Sequence, residues 1–481
     1  MHGTLHSVQP ANPASASLYR PPAPIPQPKP LGVLRLISTL KRNPLECFTQ
    51  EHFEKPVVLT GMPHKRLPFM RALLVHEPAA IRRVLLDNAG NYQKDSIQRR
   101  VLSAGLGDGL LSAENEQWRT QRRILAPVFA RKTILEFAPA MMDAANALTA
   151  RWRARDGATI DVAAEASRLT LDVLERTIFS DGFGRDAEEL RDAMGVYFNT
   201  IGKIDPLDLI GLPPSVPRLS HLRVRSTLRF FERAIDEIIA TRRRRLNGTS
   251  EDAANDILTL LLGALDPETG QRMTEAEVRS NILTFIAAGH ETTANTITWS
   301  LFLLSQSQEW RARVEAEAQR ELGGPIAGLA DRLVETRAVI DEAIRLYPPI
   351  AAISRVAMGP DELGGEKVKR GSMVVIAPYV LHRHEMYWRD PDMFDPNRFL
   401  GNAKNEIDRY AYLPFGAGIR TCIGSAFALQ EATLILATIV KNFDFKLAPD
   451  KNVWPLLRVT LRPDGGMPLT IRCKDAATIR S

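Results

Sequence analysis

The chain has 481 residues, 44% of them hydrophobic and 25% charged, which is enough apolar material for a large core and excludes a chain disordered over its bulk. Its 62 basic and 56 acidic residues leave +6 with no concentrated basic domain, which argues against nucleic-acid binding and leaves room for an acidic protein partner. Three widely spaced cysteines, Cys47, Cys422 and Cys473, form no Cys-x-x-Cys pair, so neither a disulfide framework nor a structural zinc site is expected, and a reducing, cytoplasmic setting is.

Residues 1–30 end in a proline-rich stretch, Arg20-Pro21-Pro22 to Pro28-Lys29-Pro30, expected as a flexible extended tail ahead of one domain over 31–481. Leu31–Leu40 is the most apolar run near the N-terminus. Its ten residues, interrupted by Arg35, cannot span a bilayer, so no transmembrane segment is expected. The pattern is helical from Leu31 to Phe53, then Val57–Thr60 and Ala72–His76 read as short strands. From Pro78 to Tyr347 helical patterns dominate. Arg242–Arg245 reads there as a solvated helix end whose cations suit the helix dipole. Thr274 and Glu277 have capping-box spacing, and the helix they start runs to about Ser305, roughly 45 Å at 1.5 Å per residue.

A β-rich passage follows, with Ile353–Val356, Val368 and Met373–Ile376 around the turn signal Gly364-Gly365. His382 and His384 lack further ligands at metal-binding spacing. A loop-rich region from Tyr379 leads to an apolar helix expected to begin near Cys422, and Val459–Leu461 with Leu469–Ile471 around Asp464-Gly465-Gly466 reads as a terminal β-hairpin. The fold class is mainly α with a smaller β portion.

Phe415-Gly416-Ala417-Gly418-Ile419-Arg420-Thr421-Cys422-Ile423-Gly424 carries the most information. A cysteine at a helix start feels the positive end of the dipole and nearby unpaired N–H groups, which favours a thiolate. Gly418 and Gly424 suit positive φ or close backbone approach. The segment resembles the cysteine-ligand loop of cytochromes P450, Phe-x-x-Gly-x-Arg-x-Cys-x-Gly, at every fixed position. Four further segments resemble that family's in the same order: Trp118-x-x-x-Arg122, Ala288-Gly289-His290-Glu291-Thr292-Thr293, Glu342-x-x-Arg345, and Pro396-Asn397-Arg398-Phe399, where Asn397 replaces a common Glu.

The resemblance implies a P450 fold with haem b between the long central helix and the cysteine loop, and Cys422 as the iron's thiolate ligand. It implies that Phe415, Gly416, Gly418 and Gly424 shape the loop, that Trp118, Arg122, Arg355 and Arg420 contact haem propionates, and that Ala288 and Gly289 leave space above the iron. Thr292 and Glu291 would manage protons. Glu342, Arg345 and Arg398 would form a buried network serving folding and haem retention.

The reaction implied is insertion of one atom of O₂ into a lipophilic substrate. With no flavin segment in view, the two electrons are expected from a separate ferredoxin and its reductase, with Arg119, Arg123 and Lys132 as candidate docking cations. The pocket is expected to be bordered by Asn91–Leu111, Asn199–Leu212, Ile350–Ile353 and Val459. Two alternatives stay open at this point: haem-thiolate isomerase, dehydratase or peroxide-driven chemistry, and a haem sensor without turnover.

Overall fold

A computed structural model describes residues 18–60, 72–95, 106–180, 219–246 and 256–474. Its helices of ten or more residues among these are α1 Val33–Arg42, α2 Asn115–Leu125, α3 Ala138–Arg153, α4 Val162–Leu174, α5 Leu219–Leu246, α6 Glu275–Gln306, α7 Gln308–Glu321, α8 Val334–Leu346 and α9 Ser425–Asn442. The strands are β1 Val57–Thr60, β2 Ala72–Val75, β3 Tyr92–Gln93, β4 Thr159–Asp161, β5 Ile353–Ala357, β6 Asp361–Leu363, β7 Glu366–Val368, β8 Met373–Ile376, β9 Phe443–Leu447, β10 Pro455–Leu457, β11 Leu461–Pro463 and β12 Pro468–Cys473.

Helix α6 organises the molecule. Its capping box forms: the Thr274 side chain accepts from Glu277 N, and Glu277 Oε2 accepts from Thr274 N at 2.9 Å. That satisfies two of the donors a helix start leaves unpaired. From Thr293 to Leu304 every residue is buried, so the C-terminal half of α6 is core on all sides, not an amphipathic surface helix. Helices α4, α8 and α9 pack around it. Five strands form a sheet of order β1-β2-β8-β5-β3, antiparallel except for β2 against β8, where Ala72 faces Met373 and Leu74 faces Val375.

Three local expectations give way. The proline-rich stretch is not a free tail over residues 18–30. Tyr19 O accepts from Phe394 N at 2.9 Å, Pro22 O accepts the Tyr347 hydroxyl at 2.9 Å, and Pro21 and Pro24 are buried. An extended proline segment offers carbonyls without needing a partner for its own N–H, which suits a strap laid over a finished core.

Arg242 is not solvated. It is buried with Asp256 at 2.5 Å and donates to Phe179 O at 2.8 Å, because the chain after α5 returns an aspartate to it. Finally, the terminal strands do not pair with each other. β11 pairs with β10, while β12 lies between β4 and β9 with Leu469 opposite Ile160 and Leu447. The Asp464-Gly465-Gly466 turn separates two sheets. Gly466, at φ +90°, lies where a Cβ would sit 2.5 Å from the Asp161 carboxylate that accepts Met467 N.

Candidate active site

A cavity of about 430 Å³ lies between α6 and the loop before α9. Cys422 stands on its floor, three residues ahead of the first residue of α9 and not inside the helix. A short turn, Gly418–Arg420, folds the loop back so that Cys422 N donates to Phe415 O at 2.9 Å. Gly418 makes this fold: at φ +71° its Cβ would lie 1.9 Å from Leu85 O, so any side chain is excluded. Gly416 has φ +67° as well.

Gly424 differs from the expectation. Its φ is −86°, which any residue adopts, and no protein atom lies within 4 Å of where its Cβ would be. Its bare side instead opens on the cavity. The thiol of Cys422 is surrounded by protein on its backbone side yet accessible from the cavity. Burial pushes it up, opposed by the Gly424 N–H and the Arg122 guanidinium.

Across the cavity, α6 presents Ala288, Gly289, Glu291 and Thr292. The Thr292 hydroxyl donates to Ala288 O at 2.6 Å, the usual back-bond of a helical threonine. Glu291, among the described residues the one carboxylate lining the cavity, is 3.7 Å from Arg462 Nη1 on β11, a side chain 42% exposed. Gly289 also answers to packing: a Cβ there would touch Leu174 of α4 at 3.3 Å. His290 turns away from the cavity, its Nε2 at 2.9 Å from Ser167 Oγ, and burial pushes its imidazole down to about 4.

One edge of the cavity is strongly cationic. Trp118 and Arg122 lie one turn apart on α2, and Arg355 comes from β5 and Arg420 from the cysteine loop. Lys94, just after β3, joins them and was not singled out by sequence. Burial, with Arg420 and Arg355 alongside, pushes the Lys94 ammonium down to about 7. Arg355 falls to about 10 for the same reasons, and burial also lowers Arg122 and Arg420.

Two carboxylates face these cations. Glu114 pairs with Arg420 at 2.7 Å, and Asp95 accepts from Ser354 Oγ at 2.6 Å near Arg355. The Arg420 guanidinium also lies 4.4 Å over the Trp118 ring. Among the described residues, four buried or half-buried cations thus face two carboxylates, with Lys94 also donating to Leu111 O and Arg355 to Ser354 O, and this excess of positive charge would attract an anion. A mostly apolar cavity, a sulfur on its floor, and an excess of cations at its edge fit the body, iron and two propionates of haem. Arg420, expected to reserve itself for a propionate, is already shared with Glu114.

Beside the site, the Glu342–Arg345 pair is fully buried, at 2.6 and 2.8 Å. Arg345 spends its remaining donors on the carbonyls of His382, Pro391 and Met393, and Glu342 Oε1 also accepts Asp395 N. Arg398 stands 3.6 Å from Glu342 and donates to Asp390 O at 2.9 Å, so it is the looser third member. Asn397 leaves this network intact and takes a hydrogen bond from Arg313.

These features occur together in one known architecture, and the sequence comparison matches it: residues 28–468 fit the cytochrome P450 family profile. The chain belongs to the cytochrome P450 family. Its mainly α fold is that family's. The haem domain of cytochrome P450DA superposes with a TM-score of 0.81 at 26% identity, over 95% of this chain and 99% of that one. Among curated relatives, the cyclooctat-9-en-7-ol 5-monooxygenase of Streptomyces melanosporofaciens is 35% identical, over 80% of this chain and 82% of its own. The pentalenene oxygenase of Streptomyces avermitilis is 33% identical, over 74% and 78%. This P450 is therefore an enzyme with an oxygen-inserting, monooxygenase-type role, and the sensor reading is set aside.

Of the segments expected to border the pocket, Leu106, Leu110, Leu111, Ile350, Ile353 and Val459 line the P450 cavity. Residues 96–105 and Asn199–Leu212 lie outside the described residues. Among the candidate docking cations, Arg123 is committed elsewhere, to buried Asp266 at 2.8 Å and to Glu268 at 3.2 Å. Arg119 is exposed beside Glu116, and Lys132 is exposed on a short helix after α2. Lys94, Glu114 and Arg462 escaped the sequence reading because each is a lone charged residue whose partner is distant in the chain.

Proposed function

We propose that this P450 hydroxylates a lipophilic small molecule: RH + O₂ + 2e⁻ + 2H⁺ gives ROH + H₂O. Haem b, when bound, supplies oxygen activation and O–O cleavage, with Cys422 as its thiolate ligand. The observation that carries the reading is the cavity itself, with Cys422 on one wall and Thr292 and Glu291 on the other. Lys94, Arg122, Arg355 and Arg420 would hold the propionates, Gly416 and Gly424 keep the floor bare, and Gly418 lets the loop pass against Leu85. Phe415 holds the Cys422 N–H through its carbonyl.

Thr292 orients a proton at its Oγ1, and Glu291 takes protons from the solvent side, where Arg462 holds its carboxylate. Glu342, Arg345 and Arg398 keep the floor rigid from behind. Leu111, Leu174, Ile178 and Phe285 exclude water and favour a hydrocarbon-rich substrate, of the kind named in the alkenol and alkene oxygenases above. One catalytic domain working in the cytoplasm and fed by a ferredoxin completes the proposal.

The test is the reduced, carbon-monoxide-bound difference spectrum of the protein beside Cys422→Ala, followed by ¹⁸O₂ labelling of product from lipophilic substrates. A thiolate-type Soret band lost in the variant, with one labelled oxygen in product, is expected. An unchanged band removes Cys422 as ligand, and product without label overturns the monooxygenase assignment.

A further inference from the structure

Helix α4 runs against α6, and at one point the two exchange hydrogen bonds in both directions. The His290 ring on α6 lies with Nε2 2.9 Å from Ser167 Oγ and 3.0 Å from Ser167 O on α4. A carbonyl oxygen only accepts, so Nε2 carries the hydrogen. In return the Thr170 hydroxyl, one turn further along α4, shares its hydrogen between His290 O at 3.0 Å and Ser167 O at 3.1 Å. Ser167, Thr170 and Leu174 lie on one face of α4, at helical spacings of three and four. Leu174 completes the contact against Gly289, where an added Cβ would stand 3.3 Å from it.

Polar groups buried between helices add little net stability over an apolar pair of the same shape. What they add is direction and rigidity. Thr170 is fully buried, and burial pushes the His290 imidazole down to about 4, so the ring is neutral near pH 7 and the clasp carries no charge. Its place on the helix gives it a consequence. At about 100° per residue, Thr292 lies about 160° round α6 from His290, so the clasp holds the helix from behind Thr292. On another face, Glu291, Asn295 and Trp299 recur every four residues and meet β11 and the residue before it. Glu291 faces Arg462, Asn295 Nδ2 donates to Thr460 Oγ1 at 3.0 Å, and Trp299 Nε1 donates to Leu461 O at 3.4 Å. The stretch that carries Glu291 and Thr292 is thus held by α4 on one side and by β11 on another.

We propose that Ser167, Thr170 and His290 are positioning residues for the reaction, whose clasp fixes the rotation of α6 at Glu291 and Thr292. The inference rests on the monooxygenase reading above, in which those two residues manage protons. The clasp stands outside the cavity wall, so it acts through α6 and not on substrate. Without it α6 keeps its intrahelical hydrogen bonds and loses the contact that opposes rotation about its axis. Any such rotation moves Glu291 and Thr292 together, because they are neighbours on one helix. Late or misdirected protons let O₂ leave as hydrogen peroxide, O₂ + 2e⁻ + 2H⁺ giving H₂O₂, in place of ROH and water.

The test uses the haem-loaded, full-length protein. Thr170→Val keeps the shape and removes one donor, and His290→Leu removes the other. In both, amide hydrogen exchange over residues 288–294 is expected to quicken about two- to tenfold, as for the loss of one hydrogen bond. Peroxide released per electron pair should rise about threefold or more, with KM within about twofold of the parent. The thiolate-type carbon-monoxide band should remain. Thr170→Ser, which keeps the hydroxyl and loses a methyl, should behave as the parent does, an outcome that a packing role alone would not give. Thr170→Val changes the least volume and decides the matter where His290→Leu does not fold. Unchanged exchange over 288–294 overturns the proposal, as does a Thr170→Ser protein that behaves like Thr170→Val. Thr292→Ala is the reference for a lost proton route. If it raises peroxide release and Thr170→Val does not, the clasp alone is overturned; if neither does, the proton role of Thr292 fails and takes the clasp with it.

Discussion

Two clusters of charge in this P450, one fully buried and one partly so, are built on opposite principles. In the Glu342–Arg345 network each charge meets its partner at hydrogen-bond distance, and Arg345 fills its remaining donors with backbone carbonyls. At the cavity edge Lys94, Arg122, Arg355 and Arg420 face, among the described residues, the carboxylates of Glu114 and Asp95, and burial lowers all four cations. The first cluster is complete in the chain itself and belongs to folding. The second is incomplete without an anion, so it reads as a binding site. Whether buried charges are matched by the protein separates structure from function here better than burial or charge alone.

The largest expected effect is on the complete cluster. Glu342→Ala leaves Arg345 fully buried without its carboxylate and should cost ~3–5 kcal/mol, read as a lower melting temperature of protein with and without haem.

A third kind of buried charge sharpens the comparison. Glu431 on α9 is fully buried, neither oxygen has a hydrogen-bond partner, and burial raises its carboxyl well above the usual range. A folded-state value above the unfolded one means stability is greatest below the unfolded value and falls as pH rises through the folded one. Glu431→Leu should therefore stabilise the protein by ~1–3 kcal/mol at neutral pH, with the advantage shrinking in denaturant melts as pH falls from neutral toward about 4 and levelling off below it. An advantage independent of pH would show that Glu431 is ionised in the fold.

Breaking the incomplete cluster should act on haem and spare the fold. Lys94→Met and Arg355→Met should each release haem to an acceptor apoprotein about tenfold faster, roughly 1.4 kcal/mol. Melting of the haem-free protein should be little changed, because each side chain belongs to an edge where cations outnumber carboxylates among the described residues. A drop in haem-free stability equal to that of Glu342→Ala would erase the distinction.

The smallest effect is at the Glu291–Arg462 pair, which is partly exposed at 3.7 Å. Arg462→Met should change stability by ~0.2–1 kcal/mol at most, yet raise the solvent isotope effect on turnover and the peroxide released per electron pair. Arg462→Lys should restore both.

Much of this was written in local sequence. The ligand loop is a contiguous run whose Gly418 φ and Cys422 N–H bond depend on neighbours in the chain. Thr274 and Glu277 cap α6 as their spacing requires. Helix content, the strands around Gly364-Gly365 and the family itself follow from such short-range patterns. Tertiary structure alone decided which charges meet. Glu114 reaches Arg420 across 306 residues and Arg462 reaches Glu291 across 171. No periodicity records such pairs, since they arise only when the chain closes on itself. The same holds for the separation of β11 from β12, decided by which neighbours bury Leu469, and for the outward turn of α1, where packing chose Thr39 over the leucines. Short-range chemistry wrote the elements and the cysteine loop. Long-range packing set the charge balance that makes one cluster a scaffold and the other a site.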